Sequence, residues 1–558
     1  VSINQQGSLF NIAQVPFSTF GSWLSISIPR GEEELFFRNH HGSANNLFPL
    51  RTLVDGQVFT PVIEAQPWVL VLTSGQGRVE ICFERPGTVR MRGQGLGFQL
   101  GGMNLAYSEG ANRVVFNCPF TRRYQIEALH GSVELRQTDS EKKRWARQAF
   151  ISPGEDGRWE LAIDEFGSTW KRPERAPFDR CLDSARKAFT AFLETMPAVR
   201  PGDRTTQQLA TYVNWSCAVE PCGLVKRPSL LMSKNWMNNV WSWDHCFNAM
   251  ALATGQPELA LDQMLTMVDH QDEFGCYPDS INDVNISFNF SKPPVHGLAF
   301  KELLARMPCR PAEETMETMY ASLSRQADWW MTNRRLEGSA LPYYLHGNDS
   351  GWDNSTMFSS GVPLFGPDLA ALLVVQMEVL ADMAGGMGDN AQADQWKTRA
   401  DDLLKALIDE LWCGDHFVAR LGDGSAVECK SLIPWLPIIL GRRLPEDIRL
   451  ALKAGIEGHL TEWGLATEKV DSPRYQENGY WQGPIWAPST FLAVMGLDRA
   501  GLVELADTVS ERFCRMCAKS GFPENFNALT GEPLRDPAYT WTASVFLLLA
   551  ERMNQRTA

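Results

Sequence analysis

Hydrophobic and polar positions alternate with a period of two in short runs through the first third of the chain. Trp68-Val69-Leu70-Val71-Leu72, then Ser74-Gly75-Gln76-Gly77, then Arg78-Val79-Glu80-Ile81-Cys82-Phe83 predict two strands joined by a turn. Similar runs stand at Arg113-Val114-Val115-Phe116 and Ser132-Val133-Glu134-Leu135, with Gly- and Pro-rich links between them. Short strands separated by turn signals predict an antiparallel β-sandwich over residues 1–170.

The period then lengthens. Cys181 to Phe189 opens a helical pattern that recurs at Asn248–Thr254, Glu258–Val268, Glu313–Trp330, Leu369–Ala384, Asn390–Leu411, Glu504–Met516 and Thr542–Met553. Counting weaker runs gives about twelve helices over residues 171–558, with the Pro- and charge-rich Lys171 to Asp179 as the junction. The chain therefore reads as an α+β multidomain protein. A dozen helices fit a closed toroid of helix pairs or a solenoid, and no repeat of constant period supports the solenoid. The connections are long and rich in Trp, Gly, Asn and Pro, which makes them the expected seat of chemistry.

Composition narrows the function. With 558 residues the chain is long enough for two or more domains. Its 52 basic and 66 acidic residues give a net charge of -14, which argues against a nucleic-acid partner. The densest basic run, Glu141-Lys142-Lys143-Arg144, reads as a solvated turn. No stretch approaches 18 uncharged apolar residues, and Val1 to Gln6 lacks the pattern of a secretion leader, so no membrane partner is expected. The 12 Cys lack zinc-site spacing and read as buried free thiols, pointing to a cytoplasmic protein. The 19 Trp are the unusual feature. A buried indole N–H wants a partner, so an excess of Trp suggests that some line a surface or pocket.

Three Trp-bearing loop clusters follow from this. Trp236 to His245 places Trp241, Trp243 and Asp244 ahead of a helical run, where Asp244 either caps the helix or accepts sugar hydroxyls beside an indole face. His346 to Ser355 holds Asp349, Trp352 and Asp353 between two helices; such a run serves either Asx-turn chemistry or proton donation. Gly521 to Glu532, with Tyr480-Trp481-Gln482-Gly483-Pro484-Ile485-Trp486 before it, offers Glu524 between Pro and Asn in aromatic surroundings, with Glu532 as the competing carboxylate. Two carboxylates brought from opposite halves of a domain into an aromatic pocket suit hydrolysis of a glycosidic bond. The nucleophile elbow, the phosphate loop, the dinucleotide fingerprint and the zinc-protease motif are all missing. Nothing in the sequence requires a cofactor or a metal.

These segments resemble glycoside hydrolase family 63 and its relatives, including bacterial mannosylglycerate and glucosylglycerate hydrolases. Trp241-Ser242-Trp243-Asp244 resembles that family's sugar-binding segment, and Ser350-Gly351-Trp352-Asp353-Asn354-Ser355 the loop carrying its general acid. Pro367-Asp368-Leu369 and Tyr480 to Trp486 resemble further family segments, and Glu524-Asn525-Phe526-Asn527 with Thr530-Gly531 resembles the loop holding the general base. Asp349 departs from it, standing where relatives often carry Glu. The resemblance implies a catalytic (α/α)6 barrel of the glucoamylase and trehalase type, with Asp353 as proton donor and Glu524 as base. It further implies an inverting, exo-acting α-glycosidase that releases terminal glucose or mannose from a short substrate, with the two carboxyls about 6.5–9.5 Å apart. Asp353 is then expected to have a raised pKa and Glu524 to stay ionised. Trp241, Trp243, Trp352, Trp481 and Trp486 are expected to wall the pocket, with Asp244, Asp349, Tyr480, Gln482 and His296, and with Lys292 as a further candidate, binding substrate. A non-catalytic carbohydrate-binding protein and a phosphorylase on the same barrel are the alternatives.

Overall fold

The computed structural model describes residues 2–3, 7–75, 77–117, 122–137 and 146–557. The basic run at 141–144, Gln76 of the first turn and most of the N-terminal hexapeptide lie outside the described residues. The chain divides into two compact units. The first holds Val1–Glu194 with two short returns, Thr211–Pro221 and Ser233–Asn238, and the second holds Thr195–Ala210, Cys222–Met232 and Asn239–Ala558.

Among the described residues, fifteen strands of the first unit join one sheet, with Ser2–Ile3 at its edge, parallel to Val62–Gln66. Its path runs from Val62–Gln66 through Val69–Ser74, Gly77–Arg85, Thr88–Gln94, Arg158–Phe166, Arg123–His130 and Arg113–Asn117. It continues through Gly97–Ser108, Asn45–Val54 and Leu35–Asn39 to Leu24–Ser27. Neighbours along this path are antiparallel. The strands expected to form an antiparallel sandwich are thus hydrogen-bonded along a single antiparallel path that bends back on itself. Register shifts at Phe83/Arg85, Gly101/Leu105 and Ala128/His130 bend the strands. Phe17, bridged to Ile26 at one end of the path, packs on Phe83 near the other with ring centroids 5.5 Å apart. This contact brings the two stretches of the sheet together, and Leu24, Ile26, Leu70, Leu72, Val89 and Met91 are buried.

Helix α1, Phe178–Glu194, belongs to this unit rather than to the helical one, so a single cut at residue 170 does not separate the two. The cause is its apolar face: Phe178 and Cys181 cluster with Cys82 of the sheet, while Phe189 and Phe192 pack edge-on against Trp215.

The remaining helices are α2 (Arg204–Cys217), α3 (Asp244–Leu252), α4 (Pro257–Val268), α5 (His296–Arg306), α6 (Glu313–Asn333) and α7 (Pro367–Gly386). They continue with α8 (Asn390–Leu411), α9 (Glu446–Glu457), α10 (Ala487–Ala500), α11 (Val503–Ser520) and α12 (Thr540–Thr557), and a 3-10 segment spans Ile433–Arg443. In the second unit α3 packs on α5, α5 on α7, α7 on the 3-10 segment, that segment on α10, α10 on α12, and α12 back on α3. Outside this cycle α4 packs on α3, α6 and α8 on α7, α9 on the 3-10 segment, and α11 on α10 and α12. Pro367 opens α7 at a position where its missing N–H costs nothing, and Asp368 in the first turn complements the helix dipole. With a mean hydropathy of 1.5, α7 is long and apolar enough to cross a membrane, yet it lies buried among α5, α6, α8 and the 3-10 segment. Packing on several sides accounts for its composition.

Candidate active site

The loops at one end of these helices converge through short strand pairings. Val240–Trp241 pairs with Ser280–Ile281, and Ser242 N–H donates to the Asp279 carbonyl at 3.0 Å, which brings Asp279 beside the start of α3. Ile485–Trp486 pairs with Asn525–Phe526, which brings Tyr480 to Glu524: the Tyr480 hydroxyl donates to Glu524 Oε1 at 3.0 Å. Tyr480 adopts φ +64, a left-handed conformation uncommon for a bulky residue and often found at functional sites.

The Asp353 loop is fastened at many points. Its base is closed by the Tyr344–Leu364 backbone pair at 2.8 and 2.9 Å. Asn354 donates from Nδ2 to the Gly479 carbonyl at 3.0 Å and accepts from Trp481 N–H at 3.0 Å, tying the loop to the Tyr480 segment. Thr356 donates to the buried Glu468 at 2.6 Å. Gly351 turns the chain at φ +75, and a Cβ there would stand 2.6 Å from the Trp243 indole. Gly351→Ala combines a disfavoured backbone with this clash, so it is expected to lower unfolding stability by about 1–3 kcal/mol in urea melts.

The aromatic residues correct an expectation. Trp243, Trp352, Trp481 and Trp486 are only 0–2% exposed. Trp481 stacks on Trp486 at 4.0 Å and 5°, with Trp352 4.6 Å and Trp243 6.1 Å away, and Trp541 meets both Trp486 and Trp243 edge-on. They form a packed cluster next to Tyr480 and Glu524 rather than an open wall, because bulky rings fill the space where loops meet without regular packing. Two of the N–H groups go to backbone, Trp486 Nε1 to the Tyr480 carbonyl at 2.9 Å and Trp541 Nε1 to that of Glu524 at 3.3 Å. Trp241 and Tyr480 are half-buried.

Three other candidates are engaged by the protein itself. Asp349 accepts from Ser291 N–H and Leu345 N–H at 3.0 Å each and from Arg334 at 3.2 Å, so it braces the loop. Gln482 donates to the Asn354 carbonyl at 2.7 Å and accepts from Gln476 at 3.2 Å. His296 is buried at the end of an amide relay. Gly297 N–H donates to Gln376 Oε1, Gln376 Nε2 to Gln326 Oε1, and Gln326 Nε2 to His296 Nδ1, at 3.1, 3.0 and 3.1 Å. That relay leaves the ring proton on Nε2. His245, Cys246 and His296 lie close enough to hold a metal ion, but a protonated Nε2 makes His296 a poor ligand, so the set fits hydrogen bonding better.

Asp244 is the first residue of α3 and not its cap, which is Trp243; its carboxylate accepts from Tyr539 at 3.1 Å. Sequence reasoning missed Tyr539, Asp279 and Asp536. Asp279 is 3.3 Å from the Lys292 ammonium, and Asp536 gives its carbonyl to Glu524 N–H at 2.7 Å. The only sequence signal for the last pair is the polar run before α12.

Residues 237–542 match the model of the mannosylglycerate hydrolase MGH1-like glycoside hydrolase domain. The chain belongs to this family and is a glycoside hydrolase. It is 23% identical over 434 residues to a mannosylglycerate hydrolase of Rubrobacter radiotolerans, covering 59% of this chain and 98% of that one. It is 21% identical over 407 residues to a glucosylglycerate hydrolase of Mycolicibacterium hassiacum, covering 55% and 91%. A crystal structure of a bacterial glucoamylase complexed with acarbose shares the fold, with a TM-score of 0.62 at 12% identity, covering 99% of this chain and 96% of that one.

In this glycoside hydrolase the carboxyls are held above their ordinary range. Burial raises Asp353, with the Lys292 ammonium opposing and Asp279 adding to the rise. Burial also pushes Asp244 up to about 7. Glu524, expected to stay ionised, is itself pushed up to about 7, first by burial and then by the neighbouring Asp536 charge; the Tyr480 hydroxyl opposes the rise. Several carboxylates packed into one buried site cannot all ionise at neutral pH.

Proposed function

We propose that this glycoside hydrolase removes a terminal α-linked glucose or mannose from a small glycoside with inversion, and that its helical cycle closes as an (α/α)6 barrel. Asp353 gives its proton to the glycosidic oxygen as the C–O bond breaks and its electron pair goes to that oxygen. A water attacks the anomeric carbon from the other face and loses its proton to Glu524.

The observation that carries this reading is the Tyr480 hydroxyl. It donates to Glu524, and the residues on either side of Tyr480 hold Asn354, the neighbour of Asp353, Gly479 accepting from it and Trp481 donating to it, which supports a shared role for the two assigned carboxyls from loops far apart in sequence. The names of the relatives, mannosylglycerate and glucosylglycerate hydrolase, support the choice of sugars and a small acidic aglycone. A phosphorylase fits less well, because a phosphate dianion would meet Glu524, Asp536 and Asp244 together.

Proton NMR of the first-formed sugar from an α-linked hexosyl glycerate is expected to show the β-anomer before mutarotation. An α-anomer formed first overturns inversion, and phosphate-dependent release of a sugar phosphate overturns hydrolysis.

A further inference from the structure

Lys292 carries a charge that the proposed reaction leaves unassigned. Its segment is hooked twice to the loop bearing Asp353: Ser291 N–H donates to Asp349 Oδ1 at 3.0 Å, and Lys292 Nζ donates to the Asn348 carbonyl at 3.1 Å. The same ammonium lies 3.3 Å from Asp279 Oδ1, with the two side chains 7% and 11% exposed. An ion pair so little exposed is weakly screened, and its charge reaches its neighbours. Asn348 follows Gly347, which lies so close to Asp353 that a Cβ there would stand 2.1 Å from the Asp353 carbonyl oxygen, so the ammonium is fastened to the stretch of loop packed on Asp353. In keeping with this placement, burial raises both Asp353 and Asp244, and the Lys292 ammonium opposes the rise in each.

We propose that Lys292 is a positioning residue for glycosidic cleavage: fixed between Asp279 and Asn348, its ammonium governs how readily Asp353 releases its proton, and so sets the alkaline limit of the reaction. This rests on the reading of Asp353 as the general acid. The charged and titratable groups whose fields act on Asp353 include Lys292, Asp279, His346 and Tyr480. Lys292 favours the ionised carboxylate and Asp279 disfavours it, so the two act in opposite directions on one proton.

The opposition supplies the test. In Lys292→Gln the alkaline limb of kcat/KM is expected to move to higher pH, raising the value at a fixed pH on that limb by about tenfold relative to the maximum. Asp279→Asn is expected to move the limb to lower pH, and Lys292→Arg to keep it near the parent position. A purely structural role lowers activity without shifting the limb, and cannot shift it in opposite directions for the two neighbours. An unmoved limb in Lys292→Gln and Asp279→Asn, with Asp353→Asn inactive, overturns the inference and leaves the acid assignment standing. A parent rate in Asp353→Asn overturns that assignment instead. Where circular dichroism shows Lys292→Gln unfolded, Asp279→Asn decides, and an unmoved limb there overturns the inference.

Discussion

Asp353→Asn is expected to stay folded and to lose about 10²–10⁴-fold in kcat on an α-glycoside with a poor leaving group. A glycosyl fluoride, whose leaving group needs no proton, is expected to be cleaved at close to the parent rate. The difference arises because the substitution removes one transferable proton and keeps the shape of the side chain. The loop around it is held by contacts that the change leaves alone, including Asn354 to Gly479 and Trp481, and Thr356 to Glu468. Steady-state kinetics on both substrates checks this. Equal losses on the two point to a distorted site, and a parent rate on the poor leaving group removes Asp353 from the acid role.

Glu524→Gln is expected to lose about 10²–10⁴-fold on both substrates, since water must be deprotonated whichever group departs. Its second expected effect is on stability. Burial and the Asp536 charge raise this carboxyl from 4.5 to about 7 in the folded chain. Between those values the folded state binds more protons than the unfolded one, so unfolding free energy falls as pH rises and remains lower above the window. Gln carries no such charge. The variant is therefore expected to match the parent near pH 4 and to exceed it by roughly 1–3 kcal/mol at pH 8, measured by urea denaturation at both values. The same shift places the acid limb of the parent kcat/KM profile near neutrality rather than in the ordinary carboxylate range. An acid limb below pH 5 would remove Glu524 from the base role.

Periodicity alone placed α8 at Asn390–Leu411 and came within two residues of both ends of α7, because long apolar stripes repeat with the turn of a helix. It likewise came within two residues of the ends of the strands Val69–Ser74 and Gly77–Arg85, where short runs of β-branched and other apolar residues flank a turn. The loops that carry Asp244, Asp353 and Glu524 were legible because Trp, Gly and Asn concentrate there. Features that depend on residues distant in sequence were not legible. The sheet curls because strands far apart in the chain pair and then meet across a core, which no local pattern records. Asp279 reaches the site through the pairing of Ser280–Ile281 with Val240–Trp241, and Tyr539 through the start of the last helix.

The Trp excess divides along the same line. Sequence located the indoles that gather at the site, but tertiary packing decided that Trp243, Trp352, Trp481 and Trp486 lie buried against one another, since exposure depends on what covers each ring. Residue identity likewise determined that carboxyls are present. Their proton affinity was decided only by the fold, which buries Glu524 and Asp244, half-buries Asp353 and sets like charges and one ammonium around them.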